Sequence, residues 1–348
     1  MSALPTAANR AAQRARASEA YWDVVRRQFW RRGVNRLSLF AILGLFFVAF
    51  AADFVASDKP ILLRLDGQLY VFPNVTNPPA LRVYDNHRLM ERMGPQDWAV
   101  FPPVPWGHNN HDLDAVLAAP GARHWFGTDP SGRDVFARVL HGSRVSLAVG
   151  VLAVVMLVAV GVLVGGLSGY AGGVVDLLLM RVVEVLNSVP TLLLLVTMLA
   201  VIAPSGWGAV VAIMVVIGLV RWTDVARLIR AEILKVKTTE YVEACRALGL
   251  SHPRILFRHV IPNAISPVLV AATFAMASAI LIEGALSFLG FGIPADMASW
   301  GGLLNEVRSH MDAWWLAVFP GFAIFFTVTI YNLAGEGLRD AIDPRLKA

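Results

Sequence analysis

The chain has 348 residues, 56% of them hydrophobic and 16% charged, with a formal net charge of +5. A soluble globular protein carries about a quarter charged residues, so this balance places much of the surface in lipid. The arginines flank apolar runs, as topology signals do, which speaks against nucleic acid as a partner, and the single cysteine, Cys245, excludes an intrachain disulfide and a cysteine-based metal site.

Residues 1–36 are rich in arginine, and Trp22, Phe29 and Trp30 among them give the segment the composition of an interfacial helix. Leu37 to Val55 is the first run near the roughly 20 residues needed to cross the hydrocarbon core. It ends at Asp53 and Phe54 with no small-residue cleavage site, so it reads as a retained anchor. The stretch 56–143 is far longer than a helix connection needs. It carries Tyr70, Phe72, Tyr84, Trp98, Phe101 and Trp106, too many aromatics for a disordered tether. Within it, "ILLRLDGQLYVFP" predicts two strands around Asp66-Gly67, a two-residue turn signal. Pairing Leu65 with Gln68 sets Leu63 opposite Tyr70 and Ile61 opposite Phe72. Such a hairpin is marginal alone, so a small folded lobe is expected. His108, His111 and Asp112 have metal-like chemistry but lack a helical framework, which favours a surface cluster. Asn74-Val75-Thr76 is a sequon. Asp129, Arg133 and Asp134 suit a capped, salt-bridged external turn.

Five further spans follow: Val145 to Leu167, an interrupted run from Val174 to Ala203, Trp207 to Val220, Ile265 to Leu289, and Trp314 to Leu333. Gly161, Gly165 and Gly169 are spaced by four, which suits close helix packing. Arg181 and Glu184 are i, i+3 neighbours in the interrupted run; an ion pair with a structural role is favoured over a substrate contact. Glu283 lies deep in the fifth span, where it could line a path or make a packing hydrogen bond. Six spans put both termini and the segment between spans four and five on one side. That segment and the N-terminal segment hold most of the arginines, so this side is expected to be cytoplasmic.

The segment "EYVEACRALGLSHPRILFRHVIPNAISP", Glu240 to Pro267, is polar between two apolar spans. Thr239 fits an N-cap. Tyr241, Ala244, Cys245 and Leu248 fall on one apolar stripe, and Gly249 sits where a left-handed residue would end the helix. Ser251 can cap a second helix with Pro253 in its first turn and Ile255, Leu256 and Val260 on its apolar side. Pro262 is expected to break or bend that helix. The segment is either a loop packed on its own bundle or a docking knob for a soluble partner.

With Glu243, Ala244, Cys245, then Gly249, then "HVIP" ending at Ile261 and Pro262, this stretch resembles the EAA loop of bacterial ABC-importer permeases; Cys245 replaces the second alanine of that pattern. "HWFGTDPSGRDVFARVLHGSRVSLAVG", "GYAGGVVDLLLMRVVEVLNSVPTLLLL", "LSFLGFGIP" and "NLAGEGLRDAIDPR" resemble the C-type subunit of dipeptide and oligopeptide importers. "DKPILLRLDGQLYVFP" is similar to the branch with an enlarged first external loop, which includes microcin-C-type importers.

The resemblance implies an all-α integral membrane protein of six transmembrane helices with the type I ABC-importer permease fold and a small periplasmic lobe containing a β-hairpin. It implies a cytoplasmic segment 1–36, a first span 37–55, a lobe 56–143, a core 144–335 with its EAA loop at 238–262, and a cytoplasmic tail 336–348. It implies a multi-pass protein of the bacterial inner membrane that passes peptides. Its partners would be a second homologous permease subunit, two ATPase subunits, a periplasmic solute-binding protein and membrane lipid, and it would have no cofactor, metal or catalytic residue of its own. Relatives carry nickel chelates, glutathione or peptide antibiotics, so these stay open as substrates. Glu243 would anchor docking, Ala244 and Cys245 would permit close approach, and Gly249 would set an elbow. A secondary transporter working alone would show an internal repeat, and an intramembrane enzyme would need a nucleophile–base or metal set on facing spans; the sequence offers neither. It also lacks a G-x-x-x-x-G-K-[ST] phosphate loop.

Overall fold

The structure is a computed structural model that describes residues 21–203 and 205–342, without the side chains of residues 21 and 22. Arg10, Arg14, Arg16 and the tail after Ile342 lie outside the described residues. An amphipathic helix α1 (Tyr21–Arg31) leads into α2 (Gly33–Val55), which begins four residues before the expected apolar run. The long helices α4 (Val135–Ala171), α7 (Trp207–Val236), α11 (Ser266–Phe288) and α13 (Trp315–Ile342) complete a set of five that are long and apolar enough to cross a membrane.

The interrupted run forms two helices, α5 (Gly173–Ser188) and α6 (Thr191–Ile202), bent by 88°. The cause is local. Pro190 has no N–H and drives the residue before it out of the helical region, and Val189 is extended at φ −93°, ψ 132°. The bent pair returns the chain, so α4 and α7 run parallel. Their seam is built on the glycines spaced by four. A Cβ on Gly161 would meet the side chain of Val225 at 2.6 Å, and one on Gly169 would meet the Arg230 carbonyl at 3.0 Å. The start of α2 and the end of α13 meet: the Asn35 amide donates to the Gly337 carbonyl at 3.4 Å, and Arg32 pairs with Asp340.

The hairpin has the expected register. Strands β1 (Leu62–Leu65) and β2 (Gln68–Val71) pair Leu65 with Gln68 and Leu63 with Tyr70. Asp66 and Gly67 both have positive φ, 51° and 78°, which the twist of a two-residue hairpin favours. A third strand, β3 (Trp98–Val100), adds to β1 on its other side. Leu63 and Leu65 then close a small core with Leu81, with Leu89 of the short helix α3 (Asn86–Arg92), and with the partly buried Tyr84 and Phe101.

The lobe is shorter than its predicted limit of Ser143. Helix α4 already starts at Val135, because the Asp134 carboxylate accepts from the Ala137 N–H at 2.7 Å and supplies the cap. Arg138, His141 and Arg144 interrupt the apolar residues of its first turns, which hid them from a search for continuous apolar runs. At the other end α13 continues to Ile342, nine residues past the predicted span.

Candidate coupling site

Helix α8 (Glu240–Ala247) opens the polar segment. Thr239 stands at the cap position, but its hydroxyl donates back to the Val236 carbonyl at 2.6 Å and caps nothing. Glu240 and Glu243 occupy the first turn, where the helix dipole favours carboxylates. The helix ends in a Schellman pattern: the Leu250 N–H reaches the Cys245 carbonyl at 3.2 Å and the Gly249 N–H reaches Arg246 at 2.9 Å. Gly249 has φ +76°, and no atom lies within 4 Å of where its Cβ would be. The position therefore requires glycine for its backbone and not for space.

The stripe expected to be apolar is left open by the chain. Tyr241 is 42% exposed and Leu248 80% exposed; Ala244 is also exposed and Cys245 half-buried. Of this helix only Val242 is fully buried, packed in one cluster with Ile229, Ile233, Ile255 and Val260. Val242, with the half-buried Cys245 beside it, anchors the helix, while Tyr241, Glu243, Ala244 and Leu248 face outward.

The second helix departs from expectation. Ser251 precedes α9 (His252–Ile255) without a side-chain cap, and Ile255, Leu256 and Val260 are buried. Pro262 does not break the helix. A π turn, Leu256–Val260, comes first, with the Ile261 N–H on the Leu256 carbonyl, and α10 (Ile261–Ala264) follows. The wider turn absorbs the missing proline donor. Ile261 is buried and Pro262 exposed.

The pair is fastened to α4 and α5. The Tyr170 hydroxyl lies 3.1 Å from His252 Nδ1, and the Arg246 guanidinium sits 6.0 Å over the Tyr170 ring. Lys237 donates to the Gly169 carbonyl at 2.8 Å, and Arg230 holds Asp176 through two bonds of 2.5 and 2.6 Å.

Glu283 is fully enclosed. Its carboxyl takes hydrogen bonds from Ser146 at 3.1 Å and Ser287 at 2.9 Å, so it joins α11 to α4. This geometry is that of a packing contact. A cleft of about 480 Å³ between α7 and α11 is lined instead by Arg221, Asp224, Phe274 and Ser278. These residues carried no signal of their own, since Arg221 and Asp224 read as the charged edge of a span. Arg181 and Glu184 are 2.7 Å apart on α5, both well exposed.

At the opposite end the charges are buried. Arg133 bonds Asp129 at 2.6 Å, Glu306 at 3.1 Å and the Ala295 carbonyl at 2.7 Å. This ties the start of α4 to α12 (Trp300–Glu306). Asp129, Arg133 and Asp134 thus form a capped, salt-bridged turn as expected, Asp134 capping α4 and Asp129 pairing with Arg133, and the turn is buried. Burial pushes the Glu306 carboxyl up to about 7, helped by the nearby Asp129 charge. His124 bridges Asp134 at 2.9 Å and Asp112 at 3.1 Å. Burial alone would lower its pKa, but those two hydrogen bonds outweigh it and the pKa is raised. His108, His111 and Asp112 separate: His108 stacks on His141 with centroids 4.6 Å apart, His111 meets the Ser131 carbonyl, and Asp112 holds His124 and Arg123.

Comparison with known proteins gives the frame. The oligopeptide transport system permease protein OppC of Bacillus subtilis (strain 168) is 40% identical over 253 residues, which is 72% of this chain and 81% of that protein. The inner membrane ABC transporter permease protein YejE of Escherichia coli (strain K12) is 34% identical over 339 residues, 94% of this chain and 97% of that one. Among solved structures, the inward-facing MetNI methionine ABC transporter aligns with a TM-score of 0.47 at 19% identity, over 60% of this chain and 97% of that chain. Residues 161–348 match the family described as binding-protein-dependent transport system inner membrane component. This multi-pass membrane chain therefore belongs to the binding-protein-dependent transport system inner membrane component family.

Proposed function

We propose that the chain is one permease half of an ATP-driven importer that passes peptides across the bacterial inner membrane. A second homologous permease completes the pathway, two ATPase subunits drive it, and an external solute-binding protein delivers the cargo. The observation that carries the reading is the helix pair at Glu240 to Val260. Tyr241, Ala244 and Leu248 present an uncovered stripe beside Glu243, on an element anchored to the bundle by Val242 and bent at Gly249. An exposed, capped and rigidly elbowed helix at one end of a membrane bundle suits docking into a groove of a soluble subunit. Motion of that subunit then tilts the bundle as a rigid body. The relatives named for oligopeptide transport support the peptide class. The arginine-rich segments support a cytoplasmic coupling side.

The test uses the assembled complex in proteoliposomes. Gly249→Val forces a β-branched residue into positive φ, and Glu243→Ala removes the polar anchor. Both should sharply lower ATP-dependent peptide uptake while the chain still inserts. Wild-type stimulation of ATP hydrolysis by loaded binding protein in the glycine variant would overturn the coupling role.

A further inference from the structure

A second cavity, of about 320 Å³, opens at the lobe end of the bundle, within the lower range of small-molecule pockets. Four separated parts of the chain build it: His108 and Asn109 from the lobe, His141, Arg144 and Val145 from α4, Trp207 from the first turn of α7, and Asp296 to Ala298 from the segment after α11.

Its electrostatics are one-sided. Arg144 is committed: it donates to the Ala49 carbonyl at 2.5 Å, the Phe50 carbonyl at 2.9 Å and the Asp53 carboxylate at 2.7 Å. Arg138, behind the pocket, is held by Asp129 and by the carbonyls of His108 and Ala295. His108 is kept at about 4, mainly by burial, then by the neighbouring His141 and Arg138 charges, so it is neutral near pH 7. Asp296 is exposed and its carboxylate has no hydrogen-bond or ion-pair partner among the described residues. The balance left for a ligand is one free carboxylate. Beside it, Trp207 is 72% exposed and offers an indole face, while Val145, Met297 and Ala298 give an apolar wall. A carboxylate paired with an open aromatic face is the chemistry that selects an ammonium group.

We propose that this mouth pocket binds a primary ammonium between the Asp296 carboxylate and the Trp207 indole, and that the amino end of a peptide is its occupant. The identity of the occupant rests on the peptide-importer reading; the preference for ammonium rests on the pocket alone. The enlarged lobe thereby gains a role, since His108 and Asn109 form one wall.

The test is made on the assembled complex in right-side-out vesicles without the binding protein, whose own selectivity would otherwise be read. Asn109→Cys, with Cys245 left in place on the opposite side of the membrane, is labelled with a membrane-impermeant maleimide, and uptake is read in the wild-type chain. Alanyl-phenylalanine should slow labelling, and its N-acetylated form should need about tenfold more for the same effect, the contribution of one charge-assisted hydrogen bond. Asp296→Asn should abolish the difference between the two probes and Asp296→Glu should restore it, with assembly of each variant checked by size-exclusion chromatography. Equal protection by both probes, no protection by either, or a difference that survives in Asp296→Asn would overturn the pocket. Selective protection without ATP-dependent uptake of any peptide would keep the pocket and sink the importer reading. Uptake without selective protection would do the reverse.

Discussion

The two ends of the bundle are held by opposite means. At the lobe end, Asp129, Arg133 and Arg138 are buried and bonded to one another and to the half-buried Glu306, and His124 is clamped between two carboxylates. At the coupling end, helix α8 rests on the buried Val242 and the half-buried Cys245 and leaves Tyr241, Ala244, Leu248 and both glutamates outside. Buried ion pairs tolerate little displacement, because separating them strands a charge in a medium of low dielectric. A helix held by so small an apolar contact is completed by whatever covers it. One end thus reads as a fixed frame and the other as a surface awaiting a partner.

The largest expected effect breaks the frame. Arg133→Ala leaves Asp129 and Glu306 with only the longer ion contacts to Arg138, at 3.5 and 3.9 Å, and should lower stability by about 3 kcal/mol, the low end for removing one member of a buried pair; a thermal unfolding curve in detergent checks it. Loss below about 1 kcal/mol, the size of a surface ion pair, would remove the contrast between the ends.

The next sharpens the contrast by pH. The folded pKa of Glu306, about 7, lies above its ordinary 4.5. Between those values the folded state binds more protons, so this group's contribution to stability falls as pH rises from about 4.5 and levels off above about 7. His108, depressed to about 4, acts oppositely up to its ordinary 6.5. The informative quantity is therefore the difference in unfolding free energy between wild type and Glu306→Gln. It should move in favour of the variant as pH rises from 5 to 7, on the order of 1–3 kcal/mol. A difference independent of pH would mean that Glu306 is ionised throughout.

Gly249→Val should cost about 1–2 kcal/mol through its backbone alone, since no neighbour crowds the site. Gly249→Asn should cost less, because asparagine tolerates positive φ. Equal losses in the two variants would point to a steric cause. The smallest stability effect belongs to Leu248→Ser, within about 0.5 kcal/mol as for other exposed sites. Uptake by the assembled complex should nonetheless fall. If both stay at wild-type values, the uncovered stripe has no partner.

Much of this was legible in the residues. Asp66-Gly67 fixed the hairpin register, the four-residue glycine spacing marked the α4–α7 seam, and Gly249 marked the elbow, because each is a local rule of backbone geometry or close approach. Contacts that depend on distant chain were not. Strand β3 lies about 30 residues from its partner and has only three residues. The Asp112–His124–Asp134 clamp and the Glu306–Arg133 bond join segments with no shared periodicity. The stripe on α8 was found, but not the direction it faces, since periodicity gives a face and never its partner. The π turn escaped because Pro262 marks a disturbance without choosing between a break and a widened turn.

That widened turn has a mechanical consequence. Because Pro262 leaves the helix running, the chain from His252 through the π turn and α10 into α11 stays helical, with Ile265 alone outside a helix. At 1.5 Å per residue, the path along the chain from Ser251 to Glu283 is about 48 Å, and at its far end Glu283 is bonded to Ser146 of α4. No loop intervenes between the elbow and that bond, and the path departs from regular α-helix at two proline-marked points, the π turn before Pro262 and the joint before Pro267.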